Sequence, residues 1–172
     1  MKETPRIVIT GFMGAGKTTV ARELARSLAC DYLDLDDFIT RREGRGPRAL
    51  IDEEGEPAFR DIESRALLDA LRTEARVIAL GGGTWTIERN RAAVVAEPDC
   101  LAVWLDAPFD LCWERIQGER DGRPLGRERE RARRLFEERL DAYGLAALRV
   151  RVTAGESAAR LAARIIASAS LK

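Results

Sequence analysis

Histidine is missing altogether from the 172 residues. Its absence removes Ser-His-Asp and Cys-His nucleophilic machinery, and any histidine-ligated metal. Cysteine is scarce. Cys30, Cys100 and Cys112 are odd in number and widely spaced, which argues against a disulfide framework or a thiolate zinc site and points to reduced thiols. Net charge is also missing, since 29 basic residues balance 29 acidic ones. A general nucleic-acid or membrane-surface binder needs a basic excess, so neither partner is expected. No apolar run approaches the roughly 20 residues of a membrane span. Met1 to Arg6 carries no signal-peptide pattern. What is left for chemistry is carboxylates, lysine, arginine, hydroxyls, backbone amides and a hard, oxygen-bound metal. Apolar residues at 45% and charged residues at 34% suit a folded globular chain. The length predicts one domain over residues 1–172.

Strand-like and helix-like segments alternate along the chain. Arg6-Ile7-Val8-Ile9-Thr10 is a β-branched run that stops at Gly11 and predicts a buried strand. Thr18–Ala29 has helical spacing, with Val20, Leu24 and Leu28 on one side. Tyr32–Leu35 predicts a second strand, and Asp36 or Asp37 could cap a helix running to Arg42. Glu43–Pro47 predicts a loop, and Glu56–Arg72 a helix with Pro57 near its start. Further strands are expected at Arg76–Leu80, Leu101–Leu105 and Arg149–Thr153, and helices at Ile87–Ala96, Phe109–Arg120 and Ser157–Ala169. This alternation predicts an α/β layered domain with a parallel sheet and right-handed crossovers.

Gly11-Phe12-Met13-Gly14-Ala15-Gly16-Lys17-Thr18 fits G-x-x-x-x-G-K-[ST] between a strand and a helix. The glycines let backbone N–H groups point inward at phosphate oxygens, and the helix N-terminus adds positive potential. Lys17 would reach the β- and γ-phosphates of a nucleoside triphosphate, and Thr18 would ligate Mg²⁺. Asp34, Asp36 and Asp37 fall at the C-terminal end of the second strand, where the ligand crevice of such sheets opens. One carboxylate there could hold the metal's waters and another could orient an attacking hydroxyl. Helix capping, with Asp37 as the better capping residue, is the competing reading.

Several separated motifs together resemble the shikimate kinases, over a span from Ile7 to about Val152. They are the phosphate loop through Thr19, Asp34-Leu35-Asp36, Gly55-Glu56-Pro57-Ala58-Phe59-Arg60-Asp61-Ile62-Glu63, Gly81-Gly82-Gly83, Arg123-Pro124-Leu125, and Arg139 followed by Tyr143. The resemblance implies a nucleoside-monophosphate-kinase-like P-loop fold. In that fold a five-stranded parallel sheet of order 2-3-1-4-5 is flanked by helices in three layers, with acceptor-binding helices over about 36–72 and a mobile lid over about 118–131. It implies MgATP-dependent phosphorylation of the shikimate 3-hydroxyl, on the way to chorismate and the aromatic amino acids, by a cytoplasmic monomer.

Residue by residue, the resemblance places Gly14, Ala15, Gly16, Lys17, Thr18 and Thr19 on ATP, and Thr18 and Asp34 at Mg²⁺. Asp36 would bind the acceptor hydroxyls and take the proton. Arg60 and Arg139 would clamp the acceptor carboxylate, with Gly81, Gly82 and Gly83 lending backbone contacts. Arg115 would lie by the adenine and Arg123, from the lid, over the phosphates. Lys17, Asp36 and Arg123 are thus the expected catalytic residues.

These residue types make sense chemically. Two guanidinium forks suit a small acid better than lysine would. Glu63, three residues after Arg60 on one helix, could fix its orientation. Three glycines in succession leave the backbone bare beside a ligand. The span Arg115–Arg134 holds eight arginines and four acids, and is either a solvated helix face or the lid. Trp85 belongs either to the core or to the wall of the acceptor pocket. The competing functions are another small-molecule P-loop kinase, for gluconate or a nucleoside monophosphate, and a non-catalytic ATP-binding regulatory module.

Overall fold

A computed structural model describes residues 5–118 and 126–170. Its centre is β1 (Arg6–Thr10), whose Ile7, Val8 and Ile9 are all fully buried. Burial on both faces explains why this strand is a continuous apolar run and does not alternate. β1 pairs in parallel with β3 (Val77–Ala79) on one side and β4 (Cys100–Asp106) on the other, with Ile7 opposite Val77 and Leu101. β2 (Tyr32–Asp34) continues the sheet beyond β3, and β5 (Leu148–Arg151) beyond β4. The order is therefore β2-β3-β1-β4-β5, all parallel, as the family resemblance implies.

Among the described residues, eight α-helices flank this sheet. α1 (Lys17–Leu28) and α8 (Ala158–Ala169) pack against each other. α2 (Leu35–Glu43), α3 (Pro47–Glu54) and α4 (Glu56–Leu71) form a second group. α5 (Glu88–Ala96) lies against β4, and α6 (Phe109–Gly118) against α7 (Gly126–Tyr143). No helix among the described residues is long and apolar enough to cross a membrane.

Three features depart from the sequence expectation. α3 fills a stretch to which no element was assigned. Pro47 at its first turn pre-sets the backbone, and Arg45 pairs with Glu53 and Glu54 near its end. α7 runs on well past the arginine-rich segment because Leu135, Phe136 and Leu140 pack onto the core and Tyr143 is fully buried. The helix expected to reach Arg120 is described only to Gly118. Of the lid expected at 118–131, residues 119–125 lie outside the described residues and 126–131 begin α7.

β1, β2 and β3 all end at the same edge of the sheet. β1 runs into Gly11, β2 stops at Asp34, and β3 leads through Leu80 to Gly81. Topology alone thus brings the glycine loop, the acidic strand end and the glycine triplet to one edge.

Candidate active site

The loop Gly11–Gly16 bends through left-handed backbone at Gly14 (φ 77°) and Gly16 (φ 96°), and Gly16 caps α1. Only glycine takes these angles freely. Lys17 folds back so that its Nζ donates to the carbonyls of Gly11 (2.9 Å) and Phe12 (3.0 Å). Burial lowers its pKa to about 8, against the pull of Asp36 and Asp34. Lys17 is the sole lysine among the described residues; Lys2 and Lys172 lie outside them. A compact ammonium with a movable pKa is what distinguishes it from the chain's many guanidiniums.

Asp34 ends β2 and does two jobs. Oδ1 accepts from the backbone N–H groups of Asp36 (3.0 Å) and Asp37 (3.3 Å), which makes Asp34 the N-cap of α2. This corrects the expectation that Asp36 or Asp37 caps that helix. An N-cap carboxylate accepts from amides two and three residues on, and only Asp34 stands in that position. Its other oxygen, Oδ2, accepts from the Thr18 hydroxyl. Asp36 is left free to face the cleft. Burial, and then the neighbouring Asp34, push its carboxyl up to about 6, with Lys17 opposing.

The glycine triplet is where the other residues converge. A methyl group on Gly81 would sit 2.9 Å from Asp36 Oδ1, and one on Gly82 3.3 Å from an Arg139 nitrogen. On Gly83 it would sit 2.6 Å from an Arg60 nitrogen. Side chains from α2, α4 and α7, drawn from a span of about a hundred residues, therefore meet along three consecutive glycines. Gly82 also lies beside the phosphate loop, 3.4 Å by the same measure from the Met13 N–H nitrogen.

Arg60 is held by two carboxylates on its own helix, Glu63 (2.8 Å) and Glu56 (3.0 Å). Burial lowers its pKa, but the hydrogen bonds and charges of Glu63 and Glu56 outweigh that and keep the guanidinium firmly protonated. Glu63 is itself 1% exposed and takes a second hydrogen bond from the Thr84 hydroxyl at 2.6 Å, so the orienting role expected for it is built in. Thr84 was not anticipated. Its signal is a buried hydroxyl directly after the glycines. Arg139 stacks over Phe12 of the phosphate loop, 5.9 Å from the ring centre.

The cleft holds about 660 Å³ and is lined by Gly14 through Val20, Asp34, Asp36, Gly81, Gly82 and Arg115. Glu156 and Leu161 also line it. That size suits a nucleotide-scale ligand. Arg115 donates to the Gly14 carbonyl at 3.1 Å, directly over the phosphate loop. Arg123 lies outside the described residues.

Trp85 is core, 1% exposed, with its indole N–H on the Ala142 carbonyl at 2.9 Å. Arg129 and Arg133 pair with Asp110. Both also lie over the Phe109 ring. Burial pushes the thiols of Cys100 and Cys112 up to about 11, which removes nucleophilic character from both.

A sequence model of the family described as shikimate kinase matches residues 13–170. A shikimate kinase of Thermobifida fusca is 38% identical over 174 residues, covering 98% of this chain and 99% of its own length. One from Salinibacter ruber is 38% identical over 149 residues, covering 80% of this chain and 72% of its own. Among solved structures, the shikimate kinase from Acinetobacter baumannii in complex with shikimate superposes with a TM-score of 0.86 at 32% identity, covering 99% of this chain and 97% of that one. A gluconokinase from Sinorhizobium meliloti reaches a TM-score of 0.68 at 14% identity, a likeness of fold alone.

Proposed function

The chain belongs to the shikimate kinase family, and from that premise we propose that it transfers the γ-phosphoryl group of MgATP to the 3-hydroxyl of shikimate, with the residues around Gly81–Gly83 as its acceptor site. The observation that carries this reading is the meeting of one carboxylate and two guanidiniums on the glycine triplet, next to the phosphate loop. A regulatory module needs no such pocket. Gluconate also offers a carboxylate to two guanidiniums, and what favours shikimate over it is the 38% identity to a shikimate kinase over nearly the whole chain, against 14% to the gluconokinase.

The acceptor's carboxylate lies between Arg60 and Arg139, whose planar forks can each give two hydrogen bonds. Asp36 accepts the hydroxyl proton as the new bond to phosphorus forms and the bond to the ADP oxygen breaks. The phosphate loop's N–H groups and Lys17 take up the charge that spreads over the γ-oxygens. Phosphate oxygens compete with the Gly11 and Phe12 carbonyls for the Lys17 ammonium, and their charge raises its pKa again. Gly14 through Thr19 hold the triphosphate, Arg115 lies by the adenine, and Arg123 enters over the phosphates.

The donor set suits a hard divalent ion, Mg²⁺. The Thr18 hydroxyl and an Asp34 oxygen already touch, and both are oxygen ligands of the kind Mg²⁺ prefers. Among the described residues no three carboxylates or thiols gather into a protein-only cage. A nucleotide-borne ion does not need one, because it keeps its phosphate and water ligands. When bound, the ion neutralises charge on the β- and γ-phosphates. We read the enzyme as a monomer in the cytoplasm, a reducing compartment that suits its three free cysteines.

The test is ADP release measured with shikimate, gluconate, nucleoside monophosphates or no acceptor. Turnover is expected with shikimate alone. Arg60→Ala should raise the KM for shikimate by on the order of 10²-fold, the worth of a charge-assisted hydrogen-bonded pair, and leave ATP affinity intact. Turnover on another acceptor, or loss of ATP affinity alone, overturns the assignment.

A further inference from the structure

Arg139 and Tyr143 stand four residues apart on α7, on one face of its last turns. Tyr143 is fully buried, which is unusual for a side chain with a polar tip unless that tip is satisfied. Its hydroxyl donates to the carbonyl of Gly82 at 2.5 Å. The Arg139 guanidinium lies near enough for its charge to oppose the rise that burial gives the phenol's pKa. Gly82 in turn lies against the same guanidinium. Tyr143 and Arg139 therefore converge on one glycine, the phenol on its carbonyl and the guanidinium beside its bare α-carbon.

One turn of chain away, the Trp85 indole donates to the Ala142 carbonyl, one of the last carbonyls of α7, which have no partner within the helix. The end of α7 is thus stitched twice to the segment that carries the glycine triplet. Nothing in the phosphoryl-transfer chemistry uses Tyr143. A packing role alone would be met by phenylalanine, and the ring already rests near Trp104.

We propose that Tyr143 is a positioning residue for the acceptor. Its hydroxyl fixes the Arg139 guanidinium relative to the Gly82 backbone, so that both present the acceptor carboxylate and hydroxyls with one preformed geometry. This rests on the reading of Arg139 as a carboxylate clamp. The guanidinium has rotamer freedom to lose on binding, and a buried acceptor that holds it beforehand lowers that loss. The hydroxyl acts on ground-state binding of the acceptor, far from the transferring phosphoryl group. Its effect therefore falls on the KM for shikimate and spares kcat and the KM for ATP.

The test is a cycle of Tyr143→Phe, Arg139→Ala and the double variant, each assayed for both substrates. Tyr143→Phe should raise the shikimate KM roughly five- to tenfold, the worth of one hydrogen bond, with kcat within about twofold. In the Arg139→Ala background the same change should move that KM less than about twofold, because the group it positions is gone. An equal effect in both backgrounds, or a lowered melting temperature with unchanged KM, overturns the proposal. If Arg139→Ala itself leaves the shikimate KM unchanged, the clamp assignment fails, and the proposal with it.

The unaltered enzyme gives an independent readout should Tyr143→Phe fold poorly. The chain has two tyrosines, Tyr32 and Tyr143. With ¹³Cζ-labelled tyrosine, the buried Tyr143 signal should shift on adding shikimate and the exposed Tyr32 signal should not. A Tyr143 signal blind to shikimate counts against the proposal.

Discussion

The two glycine runs of this enzyme use the same residue for different reasons. In Gly11–Gly16 the need is conformational: three of the glycines have positive φ, and the chain could not curl around a phosphate without them. In Gly81–Gly83 none of the three has positive φ, and Gly83 sits at an ordinary φ of −102°. There the need is space, because the positions a β-carbon would take are held by Asp36, Arg139 and Arg60. The first run makes a site out of its own backbone. The second makes a floor on which distant side chains assemble. Donor recognition is therefore local and rigid, and acceptor recognition depends on how three helices dock.

Single methyl groups test that contrast, and the largest effect belongs to the first run. Gly14→Ala forces a side chain into left-handed backbone and drives its β-carbon to 2.5 Å from the Cys112 carbonyl oxygen on α6. The obstacle is backbone, which cannot swing aside. Strain and clash together should lower the melting temperature by about 10 °C and abolish measurable turnover. Calorimetry beside the kinase assay checks both. In Gly83→Ala the nearest atoms to the new methyl are those of the Arg60 guanidinium, the far end of a flexible side chain. It should fold and bind ATP normally, with the shikimate KM raised about 10- to 100-fold as Arg60 is displaced. Equal loss of both substrates in Gly83→Ala would erase the distinction between the runs.

The same contrast governs what could be read from the chain in advance. The phosphate loop is contiguous, so its eight-residue pattern between a strand and a helix suffices to place Lys17 and Thr18. The acceptor site draws on Asp36, Arg60, Gly81–Gly83 and Arg139, which no local pattern links. Only resemblance to a family joined them before the fold did. The sheet order came from that resemblance too, while strand alternation alone gave the layered parallel sheet. Side-chain bonding that depends on docking was hidden: the Thr84–Glu63 bond, the Tyr143–Gly82 bond and the capping of α2 by Asp34 in place of Asp37. α3 had a legible start in Pro47, but its short apolar stripe of Leu50 and Ile51 is too sparse to register as periodic.

The subtlest readout, a melting temperature that drifts with pH, concerns the one carboxylate that faces both regions. Asp36 lies within the field of Lys17 on the donor side and beside Gly81 on the acceptor side, and its pKa stands near 6 against an ordinary 3.8. Between about pH 4 and 6 the folded chain then holds a proton that the unfolded chain has released. Stability contributed by this group therefore falls as pH rises through that window, and the penalty is complete above about 6. Catalysis runs the other way, because only the ionised carboxylate can accept the hydroxyl proton. The kcat/KM for shikimate should decline below about pH 6. Asp36→Asn should remove both dependences. It should lose most turnover, yet melt roughly 2–5 °C higher than the parent at pH 8, with the gap closing toward pH 4. A gap that stays constant with pH would mean that Asp36 is not the strained group.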